Sequence, residues 1–251
     1  MKIWENLIED SKKIIPSDVQ CEIKMINSTE SLTRFANSHI HQNVEEEMTD
    51  LYLTFHSDGK TTNLNLNITS LGSIDEVVKK ALSEIANNPK DSSWPGLASK
   101  ENSYDGYRNL SPENPDLRAQ KVKDFIDQGG SFNGAGYCSS NVSNVFVWNT
   151  DGLNSSDTAT SAFLDGIFRS ETSSGSSHIG HKSLENIDGK LVGQEAYSIA
   201  KESQNPQDID PGVYEVILGP DAVSTILVFL VVYGFNAKSK VEGTSPIEIN
   251  T

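Results

Sequence analysis

The stretch PGVYEVILGPDAVSTILVFLVVYGF, residues 211–235, constrains the fold most, because it is the least polar part of a chain with a formal charge of −15. Its apolar run from Ala222 to Phe235 is shorter than the roughly 20 residues that a membrane-spanning helix needs. Pro220 and Asp221 predict a turn and an N-cap just before this run. Since apolar residues occupy every face from Ile226 to Tyr233, we expect a helix that is covered all round inside a domain.

Charge and cysteine content narrow the class of protein. The 251 residues include 35 acidic and 20 basic side chains. This negative field repels nucleic-acid phosphates and anionic lipid, so direct binding to either is not expected. Cys21 and Cys138 are too few for a disulfide framework and predict reduced thiols. The N-terminal segment MKIWENLIEDSKKII lacks the apolar core of a signal peptide, and we expect a cytoplasmic protein.

Hydrophobic periodicity in the first third of the chain predicts one helix followed by an antiparallel meander. Residues 1–15 have helical spacing, and Asp58-Gly59 predicts a hairpin turn. The strands are expected at Val19–Ile26, Leu32–Val44, Thr49–His56 and Asn63–Thr69. Apolar residues alternate with asparagines in the last of these, so one face of the sheet is expected to be wet.

The rest of the chain alternates between helices and strands. Ser73 begins a capping box, S-x-x-E, and so predicts a helix that starts beside it. Further helices are expected at Asp116–Gln128 and Gly189–Ser203, and strands at Ala135–Cys138, Asn144–Asn149, Thr158–Arg169 and Val213–Leu218. Residues 170–180 are rich in Ser and Gly and are expected to be mobile or at a sheet edge. The fold class is therefore α+β, with a strand-rich domain and packed helices over 1–205 and the start of a second, mostly-β domain over 206–251.

Two pairs of closely spaced histidines are candidate metal ligands. His39 and His41 are two apart on an expected strand, so their side chains share a face. His178 and His181 are three apart in the Ser/Gly-rich segment and could converge on one ion. Surface histidines are common on amphipathic strands, and a loop pair lacks the supporting contacts that a metal site needs, so ordinary surface histidines are the preferred explanation of both pairs. No HExxH zinc motif occurs in the sequence.

The order of several segments resembles the TldD/PmbA family, whose older label is "modulator of DNA gyrase". The segments are SLTRFANSHIHQNV, the DGK hairpin, SIDEVVKKALSEIANNPKD, VWNTDGLNSSDTATSAF and PGVYEVILGPDAVSTILVFLVVYGFNAKSKVEGTS. The resemblance covers essentially the whole chain and is most specific in the last segment. It implies a cytosolic α+β protein that forms dimers, and family chains that continue beyond Thr251. The second domain is therefore expected to be incomplete.

The resemblance also implies a position for an active site. TldD-type subunits are zinc metallopeptidases that act on unfolded or extended peptides, and their HExxxH motif aligns here with Val228, Phe229 and Tyr233. These side chains supply neither zinc ligands nor a general base. The chain therefore resembles the PmbA/TldE-type subunit, which has no zinc of its own. Such a subunit is expected to form a homodimer or to pair with a TldD-like metallopeptidase that carries the zinc.

Two other functions remain open at this point. The chain could be an active metallopeptidase with unorthodox ligands, for which His178 and His181 are the candidates. It could also be a gyrase-associated regulatory protein, as the older family label suggests, that contacts a basic protein rather than DNA.

Overall fold

The structure is a computed structural model that describes residues 2–67, 73–92, 94–112 and 114–247. The chain divides into two compact units, Met1–Pro206 and Gln207–Thr251, and each is described here by itself.

In its described residues, the first unit contains a seven-stranded sheet and four α-helices. Its helices are α1 (Lys2–Ile14), α2 (Ile74–Ile85), α3 (Pro115–Ile126) and α4 (Gly189–Glu202), and its strands are β1 (Gln20–Ala36), β2 (His39–Ser57), β3 (Lys60–Asn67), β4 (Asp105–Gly106), β5 (Asn133–Asn149), β6 (Asn154–Arg169) and β7 (Ser174–His181). The strand order is β3-β2-β1-β5-β6-β4, and β7 also pairs with β6. Among the described strands, the short β4 alone is parallel to its neighbour. The predicted α+β class with an antiparallel sheet is confirmed.

The first hairpin differs from the sequence prediction. The expected strand Leu32–Val44 is wrong, because the chain turns back in its middle at Asn37 and Ser38. Both residues have positive φ, 49° and 60°, and they connect β1 to β2 in a two-residue turn. Positive φ at both central positions is typical of the tight turns that suit twisted strands. No glycine occurs at this turn, which is why the sequence did not reveal it.

The second hairpin is confirmed. Asp58 and Gly59 adopt φ values of 49° and 72° between β2 and β3. Within the described residues β3 ends at Asn67, and the last two residues of the predicted strand, Ile68 and Thr69, lie outside them.

The second group of strands is longer than predicted. The expected strands Ala135–Cys138 and Asn144–Asn149 are two parts of β5, which continues through the polar residues 139–143. β5 pairs with β1 on one side and with β6 on the other, and these neighbours take up its backbone hydrogen bonds. The Ser/Gly-rich segment 170–180 largely forms the edge strand β7, so its edge position is confirmed.

The helices cover one face of the sheet in two separate halves. α1 and α2 pack on the half formed by β2, β3 and the start of β1, whereas α3 and α4 pack on the half formed by β6, β7 and the start of β5. The first core includes Trp4, Ile23, Leu53, Phe55 and Phe146, and the second includes Phe35, Phe125, Leu164, Phe168 and Leu184. Ser73 caps α2 as predicted, because its Oγ accepts a hydrogen bond from the Glu76 N–H at 3.2 Å.

The second unit contains helix α5 (Pro220–Phe229), a π-helical turn (Leu230–Gly234) and helix α6 (Ala237–Val241). The N-cap of α5 is Gly219 rather than Asp221, which lies in the first turn because Pro220 occupies the N1 position. No helix in the described residues is long and apolar enough to cross a membrane.

Two further sequence predictions in this unit are wrong. Val213–Leu218 is not a strand, because no described segment pairs with it to take up its backbone hydrogen bonds. The helix is also not covered all round, because the described side chains of its unit leave α5 and Leu230–Tyr233 exposed.

A substitution at Gly166 tests the packing of α3 on the sheet. A Cβ at Gly166 would collide with the Phe125 ring, which stacks on Phe168 in the second core. We expect Gly166→Ala to lower the free energy of unfolding by about 1–3 kcal/mol, measured by urea denaturation. Gly180→Ala is the matched control, because its Cβ would come no closer than 3.2 Å to the half-buried Phe163 ring, whereas the Cβ at Gly166 would lie under 3.0 Å from the Phe125 ring. Equal losses at both positions would contradict this packing.

Candidate functional site

The three positions that the resemblance aligns with the HExxxH motif lie where α5 changes into the π-helical turn. Val228 and Phe229 end α5, and Tyr233 lies in the turn Leu230–Gly234. In a regular α-helix, residues five apart point about 140° away from each other. A π-helical turn has i→i+5 hydrogen bonds and therefore moves residue i+5 back towards the face of residue i. The backbone thus brings positions 228 and 233 closer to a shared face than a regular helix would.

The side chains at these positions cannot perform zinc chemistry. Val228 and Phe229 carry no donor atom, and a phenol such as Tyr233 is a poor lone zinc ligand. The Phe229 and Tyr233 rings instead stack on each other with a centroid distance of 6.1 Å and an interplanar angle of 3°. All three side chains are exposed. The site is therefore an aromatic and aliphatic surface on a helix with π-helical geometry.

Short polar contacts hold the chain that follows the π-helical turn. The Ser245 hydroxyl donates to the Gly234 carbonyl at 3.0 Å, and Asn236 caps α6. Gly243, in the EGTS segment, ends α6 with a φ of 71°. The Thr244 N–H then donates back to the Ser239 carbonyl at 2.9 Å. Glycine suits this C-terminal position because it adopts positive φ without steric cost.

The structure does not bring His178 and His181 together. Both lie on β7 rather than in a loop, and residues three apart on a strand point to opposite faces. His39 and His41 lie at the start of β2, beside an irregularity in its register with β1. Within the described part of the chain, no group of three or more His, Cys, Asp or Glu side chains is placed to hold a metal ion.

A buried arginine joins the two halves of the helix-covered face. Arg118, on α3, is only 1% exposed. Its Nη1 donates to the Ser140 hydroxyl at 3.4 Å, and its Nη2 donates to Asn43 Oδ1 at 3.3 Å. The same Asn43 oxygen accepts a hydrogen bond from the Thr33 hydroxyl at 3.1 Å. One guanidinium therefore connects α3 to β5 and β2, and through Asn43 to β1.

The sequence contains a signal for this junction. Arg118 occupies the i−4 position before Val122 on the buried face of α3, where an apolar residue is the norm. A cavity of about 250 Å³ lies beside the junction and is lined by Ser140, Thr160 and Lys182 among others.

The cysteine thiols are placed for packing rather than for nucleophilic chemistry. Cys21 and Cys138 are both fully buried, in the first and second core respectively. Burial, with a smaller effect from the Glu22 carboxylate, raises the pKa of the Cys21 thiol to about 12. Because the thiolate is the reactive species, Cys21 is unreactive at neutral pH.

The sequence matches no protein-family model and no curated protein. Solved structures, however, share the fold. A candidate modulator of DNA gyrase from Bacteroides thetaiotaomicron is 14% identical with a TM-score of 0.75, and the match covers 95% of this chain and 57% of that one. TldE from Thermococcus kodakarensis is 16% identical with a TM-score of 0.63, with 79% of this chain and 47% of that one covered. A candidate modulator of a DNA gyrase from Thermotoga maritima is 18% identical with a TM-score of 0.60, with 84% and 50% covered.

These matches show which fold the chain has. The chain is an α+β protein built on the long antiparallel sheet of the gyrase-modulator structures. More specifically, it has the TldD/PmbA-family fold, which the resemblance predicted. The chain spans about half the length of the solved structures that it matches.

The buried Cys21 thiol predicts a specific pH dependence of stability. Its pKa is raised from 9.0 to about 12 in the folded protein, so the unfolded chain ionises first as the pH rises. The stability that this neutral thiol contributes is complete below pH 9 and is lost between about pH 9 and 12. We expect the unfolding free energy to fall more steeply in the native protein than in Cys21→Val, by up to about 1.4 kcal/mol per pH unit. Urea denaturation from pH 7 to 10.5 measures it, and parallel curves would contradict the assignment.

Proposed function

We propose that this chain is a PmbA/TldE-like, non-catalytic subunit of a cytoplasmic zinc metallopeptidase complex. One observation carries the proposal: the positions that the resemblance aligns with the HExxxH motif hold Val228, Phe229 and Tyr233, at the end of α5 and in its π-helical turn, in a chain with a TldD/PmbA-family fold. The fold supports the family, and the replaced side chains support the non-catalytic role. In this proposal the zinc and the general base belong to a TldD-like partner subunit.

The expected substrate is an unfolded or extended peptide. The described surfaces of this chain can contribute to such a complex through binding alone. Apolar side chains exposed on α5, including Ile226 and Leu227, offer contact area to a partner or a peptide. Sheet edges offer backbone hydrogen bonds that tolerate varied side chains. A non-catalytic subunit can thereby hold peptide for a catalytic neighbour.

The zinc content of the purified chain tests the non-catalytic role. We expect well under one zinc per chain by plasma mass spectrometry, because the side chains at the motif positions are not ligands. About one zinc per chain that is lost in His178→Ala or His181→Ala would contradict the proposal and support an active metallopeptidase with unorthodox ligands.

A variant with the motif restored provides the positive control. Val228→His/Phe229→Glu/Tyr233→His places two imidazoles on the helix at the spacing of HExxxH, and we expect it to bind zinc more tightly than the native chain. The partly restored Val228→His/Phe229→Glu, which keeps Tyr233, is the matched comparison. Equal zinc binding by the two variants would show that positions 228 and 233 do not share a face.

Assembly with a catalytic subunit tests the partner. We expect the chain to co-purify with a TldD-type subunit of the same organism that carries HExxxH, and the pair to cleave an unstructured peptide that this chain alone leaves intact. A His→Ala change in the partner's motif should abolish cleavage without preventing assembly. Retained cleavage, or co-purification with gyrase instead of a peptidase subunit, would contradict the proposal.

A further inference from the structure

We propose that the outer edge of β2, from His39 to Thr49, binds an extended, positively charged peptide by strand addition. This segment is called the β2 edge below. The inference rests on the proposed function and deepens it, because it names the peptide class and the surface on this chain that holds it.

The β2 edge is a long stretch of strand with pairing on one side only. β1 pairs with β2 along its whole length, but β3 pairs with it only from Asp50 to Ser57. Within the described residues no other strand pairs with the outer side of the β2 edge. Every residue from His39 to Met48 is exposed. An edge of this kind is a template for another strand.

The register shows which backbone groups face outward. A two-residue turn makes Ser57 and Lys60 a hydrogen-bonded pair, and such pairs alternate along antiparallel strands. Odd-numbered residues of β2 therefore direct their N–H and C=O groups to the β3 side. The register irregularity lies before Asn43, so this alternation continues through the rest of the β2 edge. Asn43, Glu45 and Glu47 thus present their N–H and C=O groups to an added strand.

The edge strands β7 and β3 contact other elements of the described structure. α4 packs on β7, where the Ser177 hydroxyl donates to Glu195 at 2.7 Å and a Cβ at Gly175 would collide with the α4 backbone. Lys60, at the start of β3, forms a bridge with Lys90. Natural edge strands are commonly protected by charged side chains, lysine above all, or by proline. Between His39 and Ser57, β2 contains no lysine or proline, and Glu45, Glu46 and Glu47 would repel an acidic strand rather than a basic one.

Charge defines the occupant of the β2 edge. Glu45, Glu46 and Glu47 are consecutive, and Glu46 lies directly opposite Glu30 of β1. Like charges in this arrangement destabilise a sheet, so a cationic side chain bound beside them would relieve the repulsion. No Lys or Arg lies in the β2 edge. The acidic side chains therefore favour lysine or arginine in the added strand.

The carboxylates on one face are already oriented. Glu45 Oε2 accepts a hydrogen bond from the Ser31 hydroxyl at 3.0 Å, and Glu47 Oε1 accepts one from Asn27 Nδ2 at 3.1 Å. Their spacing of two residues matches the period of side chains on a strand. A peptide with basic residues at alternate positions would place its charges next to both carboxylates, whereas a peptide of the same shape with acidic residues would be repelled.

Three labelled peptides of about eight residues test the inference by fluorescence anisotropy on the full chain. The first alternates lysine and valine, the second has glutamate in place of lysine, and the third is the first with N-methylated backbone amides. We expect the first to bind and the other two to bind at least roughly tenfold more weakly. Added salt should weaken the first. Equal binding of the N-methylated peptide would overturn strand addition.

Matched variants locate the site. We expect Glu45→Lys/Glu46→Lys/Glu47→Lys to bind the lysine peptide at least about tenfold more weakly than the native chain. The same charge change made at exposed acids outside β2, Asp151→Lys/Glu171→Lys/Glu185→Lys, should have a much smaller effect. Equal losses in the two triple variants would show that only the overall charge attracts the peptide and would overturn the inference.

A proline variant separates the backbone from the charge. Glu45→Pro removes one outward N–H, whereas Glu45→Gln removes the same charge and keeps the N–H. We expect the proline variant to bind the lysine peptide several-fold more weakly than the glutamine variant, with urea denaturation used to confirm that both are folded. Equal affinities, or a chain that dimerises through this edge and excludes the peptide, would overturn the inference.

Peptide binding by this chain alone needs neither zinc nor a partner. A chain that assembles with a TldD-type subunit but binds none of the three peptides would overturn the β2-edge inference and leave the proposed function intact. A chain that binds the lysine peptide with the expected variants, yet contains its own catalytic zinc, would support the β2 edge and contradict the proposed function.

Discussion

The pairing of β1 along both of its edges is the constraint on which the first unit depends. β1 lies between β2 and β5, and it pairs with each over almost its whole length. Because side chains alternate between faces, Ile23, Met25 and Phe35 all point to the helix-covered face. A slip of one residue would expose all three to water, so burial fixes the register of the central strands. The outer strands then take their register from β1 through the hairpin turns and through β5.

The helix-covered face consists of two apolar halves with a polar region between them. Buried hydroxyls on β1 and β5, those of Ser31, Thr33 and Ser140, lie in this region, and Arg118 reaches it from α3. A buried guanidinium costs much free energy unless its donors find acceptors, and here the neutral oxygens of Ser140 and Asn43 accept from Nη1 and Nη2. The junction therefore fixes α3 relative to three strands by hydrogen bonds, whereas the two halves are held by apolar burial.

Local sequence signals predicted the elements whose ends are set by local chemistry. Ser73 caps α2, Asp58-Gly59 forms a hairpin turn, and α1, α3 and α4 lie close to their predicted bounds. The misses share a different cause. The Asn37-Ser38 turn has no glycine, residues 139–143 stay in β5 because both neighbouring strands pair with them, and Val213–Leu218 has no described strand to pair with. Strand pairing of this kind depends on the tertiary structure, and the hydrophobic periodicity of the sequence does not show which strands become neighbours. The three motif positions could be read from the sequence, but the π-helical turn beneath them could not.

The proposed function assigns zinc chemistry to a partner subunit and peptide binding to this chain, because its described residues supply binding surfaces but no zinc ligands at the motif positions. A zinc site lowers the pKa of bound water and needs donor atoms held in a defined geometry. Val228 and Phe229 offer no donor atom and the Tyr233 phenol is a poor lone ligand, so α5 and its π-helical turn contribute mainly shape and apolar contact. The β2 edge can instead bind a peptide, because it has a row of backbone groups, unpaired within the described structure, beside the hydrogen-bonded carboxylates of Glu45 and Glu47. Binding energy gained at such an edge, remote from the reacting bond, can serve catalysis in a neighbouring subunit by holding the substrate in position. In the proposed complex, a subunit without zinc ligands can therefore still orient an extended peptide, because strand addition uses backbone groups and requires no side chain at positions 228, 229 and 233.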